Sequence, residues 1–256
     1  MPIPTLFGVI KRRFLISYRA HPKVIKRILP APFEPKLHRG YAIVGICLIR
    51  LESIRPRGLP AFIGVSSENA AHRVAVQWVD AAGRLQDGVF IPRRDTNSWV
   101  NALVGGNLFP GEHHRARFAV EESAEGIAFT YRSLDSSVEV RFSGSESPSL
   151  PDSSCFETLE EASTFFRTGS LGYSTTQDPK ALDGIVLDAK EWRVRPFQVH
   201  HVFSSFFEDT ERFPSGTIEF DHALIMRNSV HAWHSAPTLI GATPIQANAD
   251  GGSSNI

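Results

Sequence analysis

The spacing of apolar residues along the chain predicts a protein built mainly from β-strands. In residues 13–19, RFLISYR, the side chains of Phe14, Ile16 and Tyr18 recur at every second position, which is the period of a strand. Residues 40–54, GYAIVGICLIRLESI, are apolar at consecutive positions, which is typical of a strand with both faces covered. The N-terminal part of the chain is therefore expected to form sheet.

Alternation continues through most of the remaining sequence. Residues 62–80 and 86–92 are two strand-like stretches on either side of a turn at Gly83, which predicts a hairpin. Further strands are predicted from alternating segments bounded by polar turns, and these are residues 115–122, 126–133, 136–144, 190–207 and 216–233. The first three of these segments have the spacing of an antiparallel meander.

Helical spacing is confined to three short segments. Residues 22–29 begin with Pro22, which suits a first helical turn. Residues 96–104 follow Asp95, which is expected to cap the helix N-terminus. Residues 158–168 combine a capping-box pattern with an amphipathic distribution of apolar residues. Together these elements predict an α+β fold that is mainly antiparallel β.

The length of 256 residues is sufficient for one sizeable hydrophobic core. Residues 143–154 are rich in Ser and Pro, but too little sequence follows them for a second core, so we interpret them as a surface loop. We expect a single domain over residues 1–242. Residues 243–256, which end in the polar segment ANADGGSSNI, are expected to be a disordered tail.

The charge balance narrows the range of partners. The 27 basic and 27 acidic residues cancel, so no net field attracts the protein to nucleic acid or to an anionic membrane. No segment approaches the roughly 20 apolar residues that a membrane-spanning helix needs. The basic residues near the N-terminus follow the apolar ones, which is the reverse of a secretory signal. A cytoplasmic protein with a small-molecule partner is expected.

Cysteine and lysine usage limits the nucleophiles that the chain offers. Cys47 and Cys155 are expected to be reduced, and Cys47 lies in an apolar run, where a thiol behaves as a small hydrophobic group. The six lysines leave a gap between Lys36 and Lys180. Every cation in the middle of the chain is therefore Arg or His.

Seven short motifs occur along the chain in the order ILPAPFEP, GYAIVGICLI, SSENAAHRVAV, GVFIPRRDTNSW, FTYRS, FFRTGSLGYS and VHHVFSSFF. Their order over residues 12–235 resembles the acetoacetate-decarboxylase-like superfamily, and more specifically an uncharacterised bacterial branch of it. The resemblance implies antiparallel strands that curl into a barrel-like sheet around an internal pocket. Because decarboxylases of this type are homo-oligomers, it also implies a homo-oligomer.

The sequence Pro92-Arg93-Arg94 departs from the decarboxylase pattern. The resemblance implies a proline followed by two lysines at these positions. In the decarboxylases one of those lysines forms a Schiff base with the substrate ketone. A guanidinium stays protonated near neutral pH and cannot act as an amine nucleophile. We therefore expect no Schiff-base acetoacetate decarboxylase activity. Lys190 is the one conceivable replacement, and a partly exposed strand lysine is the alternative interpretation of it.

An arginine pair is suited to binding, because a guanidinium holds a carboxylate or phosphate through paired hydrogen bonds. The resemblance also implies an acidic residue in the pocket, and Glu68 occupies the matching position. We predict Glu68 and Arg94 as catalytic residues. The predicted ligand site consists of Arg93, Arg94, Glu68, Arg73, Asp95 and His201. The alternative is a purely structural ion-pair cluster, since buried charges are normally paired.

Histidines offer a different chemistry. His222, His231 and His234 lie close together in sequence, but their spacing matches no zinc motif, so we predict neither a metal nor another cofactor.

The leading hypothesis is a pocket protein that binds a small carboxylate-bearing molecule and, if it is an enzyme, acts as a lyase or hydrolase. A non-catalytic scaffold is the second hypothesis, and a histidine-based metal-dependent hydrolase is the third.

Overall fold

The computed structural model describes residues 5–98, 111–176, 178 and 180–240, and most of these residues lie in strands. The strands are β1 (Leu6–Ala20), β2 (Glu34–Pro35), β3 (Leu37–His38), β4 (Tyr41–Pro56), β5 (Val65–Val79), β6 (Leu85–Thr96), β7 (His113–Glu122), β8 (Ile127–Ser133), β9 (Glu139–Glu146), β10 (Leu171–Thr175), β11 (Ala181–Ala189), β12 (Arg195–Ser204) and β13 (Ile218–Ile240). The described helices are α1 (Pro22–Arg27) and α2 (Leu159–Arg167), with a 3-10 turn at Ala61–Ile63. The predicted mainly antiparallel β fold is confirmed.

The strands form one sheet that curls until its pairings close into rings. Neighbouring strands follow the order β11-β10-β6-β7-β8-β9-β12-β13-β1-β4-β5-β2, with β3 beside β4. Two further pairings, β11 with β13 and β5 with β6, close a seven-strand ring (β13, β1, β4, β5, β6, β10, β11) and a nine-strand ring (β13, β1, β4, β5, β6, β7, β8, β9, β12). Strands β13, β1, β4, β5 and β6 belong to both rings, and we call them the shared wall.

The two faces of the shared wall carry separate hydrophobic cores. On the side of the nine-strand ring, Phe14 is fully buried and packs edge-on against Phe142 and Phe197, with ring centroids 5.0 and 4.9 Å away. On the other side, Leu15 and Phe166 belong to a second core, which α2 covers. Alternation along β1 thus sends neighbouring residues into different cores, which is why this strand is buried on both faces.

Two of the three predicted helices are confirmed, with shorter bounds. The helix α1 begins at Pro22 as expected, but it ends at Arg27 rather than at residue 29. The helix α2 begins after Thr158, whose side chain accepts a hydrogen bond from the backbone N–H of Glu161 at 3.1 Å. Neither described helix has the length and apolar character needed to cross a lipid bilayer.

The helix predicted over residues 96–104 is wrong at its start. Asp95 and Thr96 are the last residues of β6, where they pair with β5 on one side and with β7 on the other. Asp95 is therefore held in a strand ladder and cannot cap a helix that begins at Thr96. Residues 99–104 of this prediction, like the predicted tail over residues 243–256, lie outside the described residues.

A bulge in β6 decides which way its arginines point. Two residues of β6, Ile91 and Pro92, oppose the single residue Arg73 of β5. Proline has no amide hydrogen for a ladder, so within sheets it is tolerated at bulges. The extra residue reverses the alternation beyond it. As a result Arg94 lies on the same face as Ile91, and Arg93 lies on the opposite face.

Candidate functional site

The seven-strand ring encloses a cavity of about 290 Å³. Every strand of the ring contributes lining residues, and α2 closes one side with Phe166 and Arg167. A smaller cavity of about 80 Å³ adjoins it and shares Cys47 and Arg94 in its lining. The combined space is of the size that proteins use for small ligands, on the order of 300 Å³.

Three arginines of the shared wall line this cavity, and none forms an ion pair with a carboxylate of the described residues. They are Arg13 of β1, Arg73 of β5 and Arg94 of β6. Arg73 is only 7 % exposed, and its Nε and Nη2 atoms have no hydrogen-bond partner within the described part of the chain. Arg94 Nε donates to Ser174 Oγ at 2.9 Å, whereas its buried Nη2 has no described partner. Buried polar groups are normally bonded, so this arrangement favours an anion in the cavity.

The guanidinium groups of Arg73 and Arg94 remain charged at neutral pH. Burial is the main reason that the pKa of Arg73 falls to about 10, while Cys47 opposes the shift and Arg13 adds to it. Burial likewise lowers the pKa of Arg94 to about 10, again against the effect of Cys47. A pKa of about 10 leaves each group protonated at pH 7. The cavity therefore carries permanent positive charge.

Apolar side chains form much of the remaining wall, including the buried Ile91 and Trp233. Among the described residues, the larger cavity is lined by the carboxylate of Asp188, whose side chain is 68 % exposed and lies 4.0 Å from His234 Nε2. The smaller cavity is lined by Asp95, whose carboxylate is bound by Arg93. Because Asp188 is solvated at the rim, its charge is screened from the interior. The apolar wall lowers the local dielectric and strengthens any contact between the arginines and an anion.

Two larger depressions also contain arginines, but there the guanidinium groups face carboxylates. A groove of about 860 Å³ is lined by Arg195 and Arg227, which pair with Glu146 at 3.1 and 3.0 Å. A pocket of about 390 Å³ is lined by Arg93 and by Arg212, which approaches Asp209 at 3.7 Å. The charges of these two depressions are balanced within the protein, so they make weaker candidates for an anion site.

Arg93 forms an ion-pair cluster on the opposite face of β6 from the cavity. Its guanidinium donates to both carboxylate oxygens of Asp95, with distances from 2.9 to 3.3 Å, and to Asp135 at 3.0 Å. The side chain of Asp95 is fully buried, and this burial raises the pKa of its carboxyl against the opposing effect of Arg93. The geometry matches the structural alternative considered for the arginine pair.

Glu68 is also separated from Arg94. Arg12 Nη2 donates to both carboxylate oxygens of Glu68, at 3.0 and 3.1 Å. The pair bridges across β4, where Arg50 lies opposite both partners in the strand register. Burial raises the pKa of Glu68, and Arg12 opposes this shift. Glu68 does not line the arginine cavity, so the structure does not bring it together with Arg94 and Arg73.

His201 and Lys190 do not belong to the cavity. His201 was predicted to bind the ligand, but the structure places it outside the cavity lining, and the side chains of both His200 and His201 are exposed on β12. The strand is irregular there, since His200 is the extra residue between two paired positions facing β9. Lys190 is exposed in the bend before β12, outside the strand on which the sequence placed it.

The histidines of β13 are spread along the strand. His222 pairs with Ser17 and His231 with Gly8, and nine residues of strand span about 30 Å. The Nδ1 atom of His222 lies 2.6 Å from Asp221 Oδ1. The described residues contain no group of three or more His, Cys, Asp or Glu side chains that would hold a metal ion.

Two lining residues, Arg13 and Cys47, were not predicted from the sequence. Arg13 Nε donates to Cys47 Sγ at 3.1 Å, and the Arg13 guanidinium carbon lies 5.6 Å from the ring of Trp192. The sequence signal for Arg13 is a charged residue in a strand whose neighbours are apolar on both faces. For Cys47 the apolar run pointed instead to simple core packing.

The sequence of the chain matches one protein family. The model of the DUF2071 family (uncharacterized conserved protein, COG2071) matches residues 10–223. No curated protein matches the chain significantly in sequence.

Solved structures of acetoacetate decarboxylase and of related enzymes are similar to this chain in fold. Acetoacetate decarboxylase from Legionella pneumophila is 13% identical, with a TM-score of 0.52 over 95% of this chain and 88% of that chain. An acetoacetate decarboxylase-like enzyme from Sphingomonas wittichii RW1 is 11% identical, with a TM-score of 0.50 over 94% and 92%. The enduracididine biosynthesis enzyme MppR, complexed with pyruvate, is 12% identical, with a TM-score of 0.52 over 96% and 91%. The fold predicted from the motif order is confirmed.

Proposed function

We propose that this chain, which belongs to the DUF2071 family and has the acetoacetate-decarboxylase-like fold, binds a small organic anion in the cavity of the seven-strand ring. In this proposal Arg73 and Arg94 bind a carboxylate of the ligand, and Arg13 adds to the positive field. The remainder of the ligand contacts the apolar wall that includes Ile91 and Trp233.

The observation that carries the proposal is the contrast among four buried or half-buried arginines. Arg12 and Arg93 have carboxylate partners at 3.0 and 2.9 Å. Arg73 and Arg94 have no such partner in the described part of the chain, although both line a cavity. Burying an ion without a partner costs on the order of several kcal/mol. A ligand carboxylate would supply the missing counter-charge.

A carboxylate is the anion that best suits the site. Its two coplanar oxygens match the fork of a guanidinium, and a cavity of about 290 Å³ admits only a small molecule. The structural neighbour MppR is complexed with pyruvate, which is itself a small carboxylate. This agrees with the class of ligand that we propose.

The proposed chemistry excludes an imine intermediate on these walls. No lysine occurs among the described residues that line the two adjoining cavities, and a guanidinium is not an amine nucleophile at neutral pH. We propose that any turnover of the bound molecule is acid–base chemistry of the lyase or hydrolase type, with the arginines holding the substrate charge.

A panel of ligands tests the proposal. The melting temperature of the protein is measured with acetate, propionate, pyruvate and succinate, and with the neutral amides acetamide and propionamide. We expect the carboxylates to raise the melting temperature in a concentration-dependent way, because a ligand that binds only the folded state stabilises it. The amides lack the charge and should have no comparable effect.

Two variants sharpen this experiment. Arg94→Gln removes one of the three arginine charges of the cavity and should weaken the carboxylate-dependent shift, so that about ten- to a hundredfold more ligand is needed for the same effect. Arg193→Gln is the matched control, because Arg193 is 85% exposed and pairs with Glu191 outside the cavity. If no carboxylate shifts the wild-type melting temperature, the proposal fails and the non-catalytic scaffold becomes the better hypothesis.

A further inference from the structure

Cys47 is placed among the charges of the arginine cavity. It lines both adjoining cavities, and its sulfur accepts a hydrogen bond from Arg13 Nε at 3.1 Å. Arg73 and Arg94 line the same space with guanidinium N–H groups that have no described partner. Cys47 thus has a different environment from an ordinary core cysteine, which contacts only apolar neighbours.

The electrostatics link the same residues. Cys47 raises the pKa of both Arg73 and Arg94 against the effect of burial. The strand register agrees, since Cys47 of β4 lies opposite Ala71 of β5, Ala71 lies opposite Arg94 of β6, and Arg73 lines the same cavity. A small carboxylate bound by these arginines would lie beside the sulfur.

We propose that Cys47 is a covalent modification site, at which the thiol reacts selectively with small electrophiles that carry a carboxylate. The inference rests on the proposed function, because the arginines that bind the carboxylate also deliver the electrophilic carbon to Sγ. Holding two reactants together in this way raises the rate of their reaction. The cavity extends to the protein surface, because its lining includes the solvent-exposed residues Asp188 and Arg167.

The reaction with a haloacetate illustrates the step. The sulfur supplies the electron pair of a new S–C bond to the α-carbon, and the C–I bond of iodoacetate breaks as iodide leaves with its bonding pair. The thiol proton passes to the solvent. The step is a nucleophilic displacement and needs no oxidant, reductant or further reactant.

Iodoacetate and iodoacetamide provide the test, because they differ in charge and deliver the same kind of carbon. The native protein is treated with each reagent, and the rate of labelling at Cys47 is measured by intact mass and peptide mapping. N-acetylcysteine gives the intrinsic ratio of the two rates for a free thiol. Relative to that ratio we expect Cys47 to prefer iodoacetate by about tenfold or more, which corresponds to about 1.4 kcal/mol.

The chain carries its own control. Cys155 is buried outside the two cavities, and burial raises the pKa of its thiol to about 12, so it should stay unlabelled in the native protein. Arg94→Gln should return the preference of Cys47 toward that of the free thiol, whereas Arg193→Gln should leave it unchanged. A ratio at Cys47 equal to that of N-acetylcysteine, or no labelling of native Cys47 by either reagent, would overturn the inference.

A second measurement separates this inference from the proposed function. Cys47→Ser removes the nucleophile but leaves the arginines in place, so carboxylates should still raise its melting temperature. If they do, and wild-type Cys47 shows no preference for iodoacetate, only the covalent site is rejected. If carboxylates stabilise neither protein and the preference is also absent, both proposals are rejected.

Discussion

Arg93 and Arg94 are neighbours in sequence, but their guanidinium groups lie on opposite faces of β6. Arg93 donates to Asp95 and Asp135 on the face of the nine-strand ring. Arg94 lines the cavity of the seven-strand ring, where its Nη2 meets no acceptor of the described residues. The two residues therefore have different energetic roles, and substitution should separate them.

The variant Arg94→Gln should lose affinity for carboxylates without a loss of stability. A hydrogen bond to a charged group is worth about 1.5–3 kcal/mol, so the dissociation constant should rise about ten- to a hundredfold. Removal of an unpaired buried charge should leave the free energy of unfolding unchanged or increased in the absence of ligand. Calorimetric titration and urea unfolding measure the two effects.

The matched variant Arg93→Gln should behave in the opposite way. It leaves the fully buried Asp95 with a weakened partner, and breaking a buried pair typically costs about 3–5 kcal/mol of stability. Carboxylate affinity should be retained wherever the variant is folded. Loss of affinity in Arg93→Gln together with full affinity in Arg94→Gln would reverse our assignment of the two faces.

Glu68→Gln should reduce stability and leave carboxylate binding intact. Glu68 is 10% exposed and binds Arg12, whose side chain is 6% exposed, so the change weakens a buried pair by about 3 kcal/mol. Arg12 keeps its ion pair with Glu122 at 3.1 Å, which should limit the loss of stability. Urea unfolding and the carboxylate titration check both parts. A folded Glu68→Gln protein that has lost carboxylate binding would restore Glu68 to the functional site.

His72 should make the fold sensitive to acid. Burial lowers the pKa of His72 from 6.5 to about 3, and the charges of Arg93 and Arg212 add to the shift. Between these two pKa values the unfolded chain binds a proton that the folded chain does not. Stability should therefore fall as the pH drops below 6.5, by about 1.4 kcal/mol per pH unit for this group.

In the variant His72→Gln the free energy of unfolding should depend less steeply on pH. The slope should be smaller by the contribution of about one bound proton. The free energy of unfolding is measured in urea at several pH values from 7 to 4. Ser204→Ala is the control, because it removes the hydroxyl that lies 3.3 Å from His72 Nε2 but keeps the imidazole. If the free energy of unfolding varied with pH equally steeply in wild type and His72→Gln, the proposed role of the buried imidazole would be contradicted.

The strands were predictable because alternation is a local signal. The long apolar run over residues 40–54 indicated a strand covered on both faces, and β4 is buried in this way between the two cores. The closure of the sheet into rings was not readable from such signals. It depends on pairings such as β11 with β13, which join residues far apart in sequence.

The candidate site was predictable only in part. Arg73 and Arg94 were named from the sequence, and the structure brings them to one cavity. Glu68 was assigned to them because the resemblance placed an acid there, but its partner Arg12 lies 56 residues away and two strands across the sheet. Arg13 and Cys47 were missed, since nothing local marks which core a residue of a doubly buried strand faces.

The bulge at Pro92 also constrains how the length of this strand can change in relatives. Inserting or deleting one residue next to it would exchange the two arginines, because a shift of one position moves every following side chain to the other face. Arg93 and Asp95 would then turn to the face of the cavity, and Arg94 would turn to the opposite face, on which Asp135 lies. Alignments of related sequences therefore compare equivalent arginines only when no gap falls within residues 90–94.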